Sequence, residues 1–392
     1  MTRSAFSIVY IGIATGLSLI GDAALYAVLP SHYVHIGLIP IQVGILLSVN
    51  RWIRLASNHV AERCYRNSPV GLWLVPAFSL GSVVTAIYGT SKIFAVLLVA
   101  RILWGICFSF IRQAGIMTVV SASNDAHLGK NMGFFRGINL SGWFVGILLG
   151  GLGYDLFGFS STFIAFSLSS LIAAPLSFLS QRGLNLVNTA PSNITFIRAD
   201  LRIMLCGFAI GIVGFGLLVS TLGLILREKV GISTSFFGHT IGVATLTGMI
   251  LAVRWVLGSV GSPLLGAIAD RVGRERFTPV LFALGAMAMA FSSLSFGPSC
   301  MIGGVFFVFF YETLLGITIS AKAGQQGARS VASYATAFDL GSALGPIIGW
   351  SIAQFGLPTN LIFVTGATFY GLGALASRAW FRPFAARQIM AR

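Results

Sequence analysis

Ten ionisable side chains stand inside otherwise apolar stretches of this sequence: Arg51, Arg54, Arg101, Arg112, Arg136, Arg254, and the acids Asp22, Asp155, Glu312 and Asp339. A charge surrounded by hydrocarbon costs several kcal/mol unless it meets a partner, water or a ligand, so each of them marks a polar interior. Their spacing groups them. At 100° per residue Arg51 and Arg54 share a helix face with Asn58, while Arg101 and Arg112, three turns apart, line a stripe about 16 Å long with Gly105, Phe108 and Gly115. Asp22 heads a polar stripe of Thr15, Ser18 and Tyr26. A carboxylate beside an arginine in a low-dielectric cavity is pushed towards its neutral form by burial and held in its charged form by the cation. That balance suits the uptake and release of a proton, and Asp22 with Arg101 is the pair expected to provide it. A fixed structural ion pair is the alternative for each charged residue. Six arginines against four acids leave a positive surplus, whose forked donors fit a carboxylate or phosphate and so point to an anionic or zwitterionic ligand.

The elements that must position these residues follow from composition. The 392 residues are 56% hydrophobic and 9% charged, with a mean hydropathy of +0.89, too few charges to coat a soluble protein. Counting apolar runs against the roughly 20 residues that a spanning helix needs gives twelve spans, at residues 5–30, 41–62, 69–89, 94–120, 132–156, 160–180, 203–226, 236–265, 277–296, 299–321, 330–355 and 358–380. Their length, and the lack of period-2 alternation, argue for helices over a β-barrel. With the N-terminus inside, sixteen Lys and Arg residues fall on cytoplasmic loops and only Lys92, Arg227 and Lys229 outside, the asymmetry of the positive-inside rule. The chain is therefore expected to be a multi-pass protein of a bacterial inner membrane with both termini cytoplasmic, and the first span a retained helix rather than a signal peptide.

Several classes are excluded. The net charge of +15 is dispersed over turns, which argues against a nucleic-acid partner. Cys64, Cys107, Cys206 and Cys300 stand singly, His32, His35, His59 and His239 lack metal-ligand spacing, and the GKN at 129–131 lacks the rest of a Walker sequence. No metal, cofactor or ATP hydrolysis is expected, nor any enzymatic activity.

The chain is also doubled. RWIRLASNHVAERCYR (51–66) answers RWVLGSVGSPLLGAIADR (254–271), FSFIRQAGI (108–116) answers FFYETLLGI (309–317), and GINLSGWFVGILLGG (137–151) answers AFDLGSALGPIIGW (337–350), all offset by about 200 residues. Arg254 thereby repeats Arg51, and Asp339 repeats Asn139. Two pseudo-symmetric six-helix bundles are expected, residues 1–180 and 201–380, joined by a polar cytoplasmic linker at 181–200 and followed by a basic tail at 381–392. Parallel halves with a site at their interface are a transporter architecture.

Three motifs carry a resemblance. GAIADRVGRER (266–276) looks like the pattern G-x-x-x-D-R-x-G-R-[KR], with Gly266, Asp270, Arg271, Gly273 and Arg274 in register and Glu275 where a basic residue is usual. RILWG is similar to R-x-x-x-G at Arg101 and Gly105. GWFVGILLGG is similar to an antiporter motif, with Gly142, Gly146, Gly150 and Gly151 present and Ile147 replacing its proline, whereas the repeat GSALGPIIG keeps Gly345 and Pro346. On these residues the whole chain resembles the major facilitator superfamily, and most of all its proton-coupled drug and metabolite antiporters. In the loop equivalent to 266–276, ERCYRN, Arg66 stands where the acid would be, and Glu62 lies one turn earlier. The resemblance implies an all-α membrane protein of twelve helices, a cytoplasmic gate at 266–274, and close helix packing at the glycines. It also implies a proton-pathway role for an acid of helix 1 with the helix-4 arginine. The expected activity is proton-coupled export of a small organic molecule by a monomer in the lipid bilayer, through a pathway of Asp22, Tyr26, Arg51, Arg54, Arg101, Arg112, Arg136, Arg254, Glu312 and Asp339. An ion-coupled importer of an organic anion competes with this, since the arginine surplus fits either direction. A non-transporting receptor or scaffold would need no charges at mid-depth.

Overall fold

The computed structural model describes residues 3–123, 127–182, 200–236, 239–258, 274–294 and 297–378. The first helices are α1 (Arg3–His32), α2 (Pro40–Asn67), α3 (Val70–Thr90), α4 (Phe94–Ser121) and α5 (Leu128–Phe157), followed by α6 (Phe159–Leu171) and α7 (Ala173–Gln181). Then come α8 (Leu201–Ile210), a π-helical stretch (Gly211–Leu218) and α9 (Val219–Val230), which together form one continuous rod. A short antiparallel hairpin, β1 (Ser233–Phe236) with β2 (His239–Gly242), precedes α10 (Val243–Val256). The last helices are α11 (Arg274–Ser293), α12 (Pro298–Gln325), α13 (Ala328–Gln354) and α14 (Asn360–Ser377).

Among the described residues, eight stretches are long and apolar enough to cross a membrane, including Phe159–Gln181 and Leu201–Val230 as single spans. Two apolar helices, Val243–Val256 and Phe277–Ser293, are shorter. The α2 and α13 helices, 28 and 27 residues long, have the length but carry too many polar side chains to qualify by composition. Together these make up the twelve. One boundary differs from the sequence reading: residues 233–236 and 239–242 are extended and the eighth helix begins only at Val243. Gly231, at φ +88, ends α9, and the β-branched Thr234, Thr240 and Ile241 favour a strand over a helix turn.

Packing divides the chain into two compact units, Met1–Ser192 with Leu222–Trp255, and Asn193–Thr221 with Val256–Arg392. In the first, α1 and α5 meet along small residues. A Cβ added at Gly142 would lie 2.6 Å from the Cα of Gly16, one at Gly146 2.8 Å from the Cα of Ile20, and one at Gly150 2.7 Å from the Cα of Ala24. Within a membrane, helices associate by such close packing and not by escape from water, so bare backbone at every turn is what holds this seam. Gly151, rotated from that line, faces α10 instead, where an added Cβ would lie 3.0 Å from the Cα of Thr245, and one at Gly248 of α10 would lie 2.7 Å from the Ile147 carbonyl oxygen. The second unit repeats the device. Gly345 of α13 sits on Gly216 of the π-helical stretch, and a Cβ added at Gly341 would lie 2.8 Å from the Ile212 nitrogen. Pro346 follows inside α13.

Gly146→Leu would force α1 and α5 apart and should lower stability by about 1–3 kcal/mol or more, read as a fall in the thermal unfolding midpoint of the purified protein. The exposed Gly133→Leu, with open space around it, should leave the midpoint unchanged. Equal effects at both positions would contradict the seam.

Candidate functional site

The buried centre of the first unit is polar. Arg101 of α4 and Asp22 of α1 form an ion pair between Nη1 and Oδ1, with only 1% and 4% of their side-chain surface exposed. Arg101 also donates from Nε to the carbonyl of Leu46 on α2, at 2.8 Å. Two glycines make this geometry possible. A Cβ at Gly105, one turn along α4, would lie 2.8 Å from the Asn50 carbonyl oxygen and 3.1 Å from its Cα, so α4 and α2 touch backbone to backbone there. Gly21, next to Asp22, packs directly on Thr85, where an added Cβ would lie 3.1 Å from the Thr85 Oγ1. One turn beyond Thr85 is Tyr88, fully buried, whose ring centroid lies 5.9 Å from the guanidinium carbon of Arg101.

Tyr88 interacts with Arg101, although neither its hydroxyl nor Arg101 Nη2 has a partner of standard hydrogen-bond geometry, and on α2 the buried Asn50 Oδ1 has none either. Buried donors and acceptors are nearly always satisfied, and a guanidinium nitrogen left over in an apolar interior is costly. The site therefore has donor and acceptor capacity beyond the one ion pair. Other polar groups of α1 are turned inward on the helix: Thr15 bonds the Ile11 carbonyl and Ser18 that of Thr15, each at 2.8 Å. Tyr26, one turn after Asp22, is fully buried and donates to the Leu47 carbonyl at 3.3 Å.

The remaining pathway residues separate by burial. Arg51 is buried with its guanidinium over the Tyr26 ring, and Arg54 is half-buried over Phe108. Arg254 is buried against Trp255. Arg112 and Arg136 are exposed, so of the two α4 arginines only Arg101 is sealed. In the second unit, Glu312 of α12 is buried with its carboxylate on the bare backbone of Gly214 in the π-helical stretch, and Asp339 is half-buried. Asp155, at the C-terminal end of α5, accepts from the Thr245 nitrogen at 2.8 Å and its hydroxyl at 2.6 Å, capping the start of α10. Glu62 pairs with Arg66 on its own helix at 2.6 Å. Gly266, Asp270, Arg271 and Gly273 lie outside the described residues, and Arg274 is the first residue of α11. Residues 183–199 of the expected linker and 379–392 of the tail also lie outside them.

Sequence reasoning missed Tyr88, Asn50, and the stacked indoles of Trp143 and Trp255, 5.2 Å apart. The last left a trace in the letters, since Arg-Trp recurs at 51–52 and 254–255; Tyr88 left none, being one aromatic among many.

Removing one member of a buried ion pair strands the other, whereas neutralising both does not. Arg101→Ala should therefore cost roughly 3–5 kcal/mol, and Asp22→Asn with Arg101→Gln should recover most of that loss. Thermal unfolding of the three proteins checks this, and a double variant no more stable than Arg101→Ala would show the two charges to be uncoupled.

Known proteins match this architecture. The sequence profile of the Major Facilitator Superfamily matches residues 11–346. Multidrug resistance protein MdtG of Rahnella sp. (strain Y9602) is 26% identical over 299 residues, covering 72% of this chain and 70% of the relative. Among solved structures, a bacterial homolog to the human lysosomal transporter Spinster, inward-facing and occupied, superposes with a TM-score of 0.79 at 14% identity over 98% of each chain. The nucleoside transporter NupG, as its D323A mutant, gives 0.72 at 11% identity over 96% of this chain and all of that one. With its twelve-helix fold, this multi-pass integral membrane protein belongs to the major facilitator superfamily, whose members are transporters of small molecules and not enzymes.

Proposed function

We propose that this transporter exports a small organic molecule in exchange for protons, by alternating access, as a monomer in a bacterial inner membrane with both termini cytoplasmic. The observation that carries the reading is the sealed pair of Asp22 and Arg101 with spare polar atoms beside it. A proton arriving on Asp22 removes the negative charge and leaves Arg101 alone in a low-dielectric interior. The guanidinium must then find another acceptor, which shifts the contacts of α4 with α1 and α2. Proton occupancy and helix packing are thereby linked, and a ligand that favours one packing changes the affinity for the proton.

Direction and topology have separate support. The relatives named multidrug resistance proteins favour export, and the excess of Lys and Arg on one set of loops favours cytoplasmic termini. The two sequence repeats, 1–180 and 201–380, serve as the domains of the cycle in this reading. Residues 266–274, from Gly266 through Asp270, Arg271 and Gly273 to Arg274, form its cytoplasmic gate. The buried Arg51 and Arg254 favour an anionic or zwitterionic cargo.

Reconstituted vesicles with an imposed pH gradient test the coupling. Adding organic anions, zwitterions and cations in turn to wild-type vesicles should reveal a solute whose movement dissipates the gradient. Asp22→Asn should abolish that proton-linked flux and make the residual solute exchange independent of pH. Unchanged proton-linked flux in Asp22→Asn would remove the residue from the mechanism.

A further inference from the structure

One side chain beside the ion pair has no part in the transport reading. Tyr88 of α3 is fully buried, its ring centroid lies 5.9 Å from the Arg101 guanidinium carbon, and its hydroxyl interacts with both Arg101 and Asp22. Yet neither the hydroxyl nor Arg101 Nη2 is engaged in a hydrogen bond of standard geometry. A phenol oxygen carries lone pairs that accept, and Nη2 has N–H groups to donate. A phenylalanine would fill the same space without bringing a hydroxyl into an apolar interior, where an ill-matched polar group is costly.

The surroundings hold Tyr88 in place. A Cβ added at Gly89, the next residue, would lie 2.8 Å from the Phe163 Cβ and 3.0 Å from the Ser160 carbonyl oxygen, so α3 lies directly on α6 there. Phe163 also meets the Tyr88 ring edge-on at 6.4 Å. Nearly two turns earlier, Ser82 and Ser167 each donate to the other's backbone carbonyl, at 2.8 and 2.9 Å. The α3 helix is therefore clasped to α6, and the Tyr88 hydroxyl is a fixed point beside a guanidinium that links α4 with α1 and α2.

We propose that Tyr88 is a positioning residue of the proton site: when Asp22 takes up its proton, the Tyr88 hydroxyl accepts from Arg101 Nη2 in place of the lost carboxylate. The inference rests on the transport reading and names the group that regulates its proton step. A guanidinium keeps its charge throughout, so losing an anionic acceptor leaves it in need of another. Nε, bonded to the Leu46 carbonyl at 2.8 Å, serves as the pivot, and the swing from Asp22 to Tyr88 moves the tie of α4 from α1 to α3. Because α3 is clasped to α6, α1 is the helix released. Asn50 Oδ1, on α2, is the rival acceptor. The ionisable groups around Asp22 are Arg101 and Cys107 of α4, Tyr88 of α3, Tyr26 of α1, and Arg51 of α2 over the Tyr26 ring. The α6 and α7 helices have none, and α5 carries Lys130, Arg136, Tyr154 and Asp155 towards its ends. An acceptor used only after protonation favours the protonated carboxyl, so removing it makes Asp22 harder to protonate.

Infrared titration of the full chain in lipid reads both partners. In Tyr88→Phe the Asp22 carboxylic-acid band should reach half height about one pH unit lower than in the wild type, an about tenfold weaker hold on the proton. Asn50→Ala should titrate as the wild type does. In the wild type, a phenol C–O band, identified by ring-deuterated tyrosine, should move in step with the Asp22 band, and Tyr88→Phe should remove it. An unchanged or higher midpoint in a folded Tyr88→Phe, a shift in Asn50→Ala alone, or no tyrosine band that follows Asp22 would overturn the proposal. The labelled wild type needs no variant, so misfolding of Tyr88→Phe does not blunt the test. Absence of any Asp22 band in the wild type removes the coupling reading together with this one, whereas an Asp22 band that titrates without a response from Tyr88 sinks the Tyr88 role alone.

Discussion

A carboxylate and a guanidinium sealed together among apolar helices are the constraint from which the rest of this structure follows. Neither charge could stay at that depth alone, and each fixes the position of the helix that bears it. Because Arg101 also holds the Leu46 carbonyl, one side chain ties α4 to α1 and α2 at a single level. The pair in turn depends on missing side chains. Gly105 against Asn50 lets α4 close on α2 at the level of the pair, and Gly21 against Thr85 lets α1 close on α3 beside Asp22.

The same economy runs through both units. Along α5 the glycines at 142, 146 and 150 face α1, and Gly151 turns the next contact towards α10, so one helix seals against two neighbours by backbone alone. In the second unit, α13 rests on a π-helical stretch whose glycines let the chain widen, and the Glu312 carboxylate lies on one of them, Gly214. Widened turns of this sort recur at functional sites, because they open backbone groups that an α-helix would keep bonded. Close contacts of this kind let helix backbones approach and pack without a hydrophobic drive between them.

Much of this was legible in the letters, for physical reasons. A bilayer demands about 20 apolar residues per span, so the helices could be counted, and a charge at depth demands a reason, so Asp22 and Arg101 stood out and the structure brings them together. What escaped was whatever hydrophobicity does not mark. The strand His239–Gly242 lay inside an apolar run, and Arg112 is exposed although it shares a stripe with the buried Arg101, Gly105 and Gly115. Arg136, in another apolar stretch, is exposed for the same reason: helical period gives the face and not the cover. Trp143 was silent, and Trp255 left only the recurring Arg-Trp pair, because an aromatic in a membrane helix looks like filling until its neighbours are known. The packing of Leu222–Trp255 with the first unit is likewise a tertiary fact, invisible to a repeat that only assigns those residues to the second half.

The central claim is that the Asp22 carboxyl itself takes up and releases a proton. Infrared difference spectroscopy of the protein in lipid, stepped across pH, reads this directly as the carbonyl stretch of a protonated carboxylic acid. A band that grows as pH falls, shifts when cargo is added and vanishes in Asp22→Asn is the predicted result. A spectrum in which Asp22 stays ionised over the whole pH range where transport runs would contradict the account.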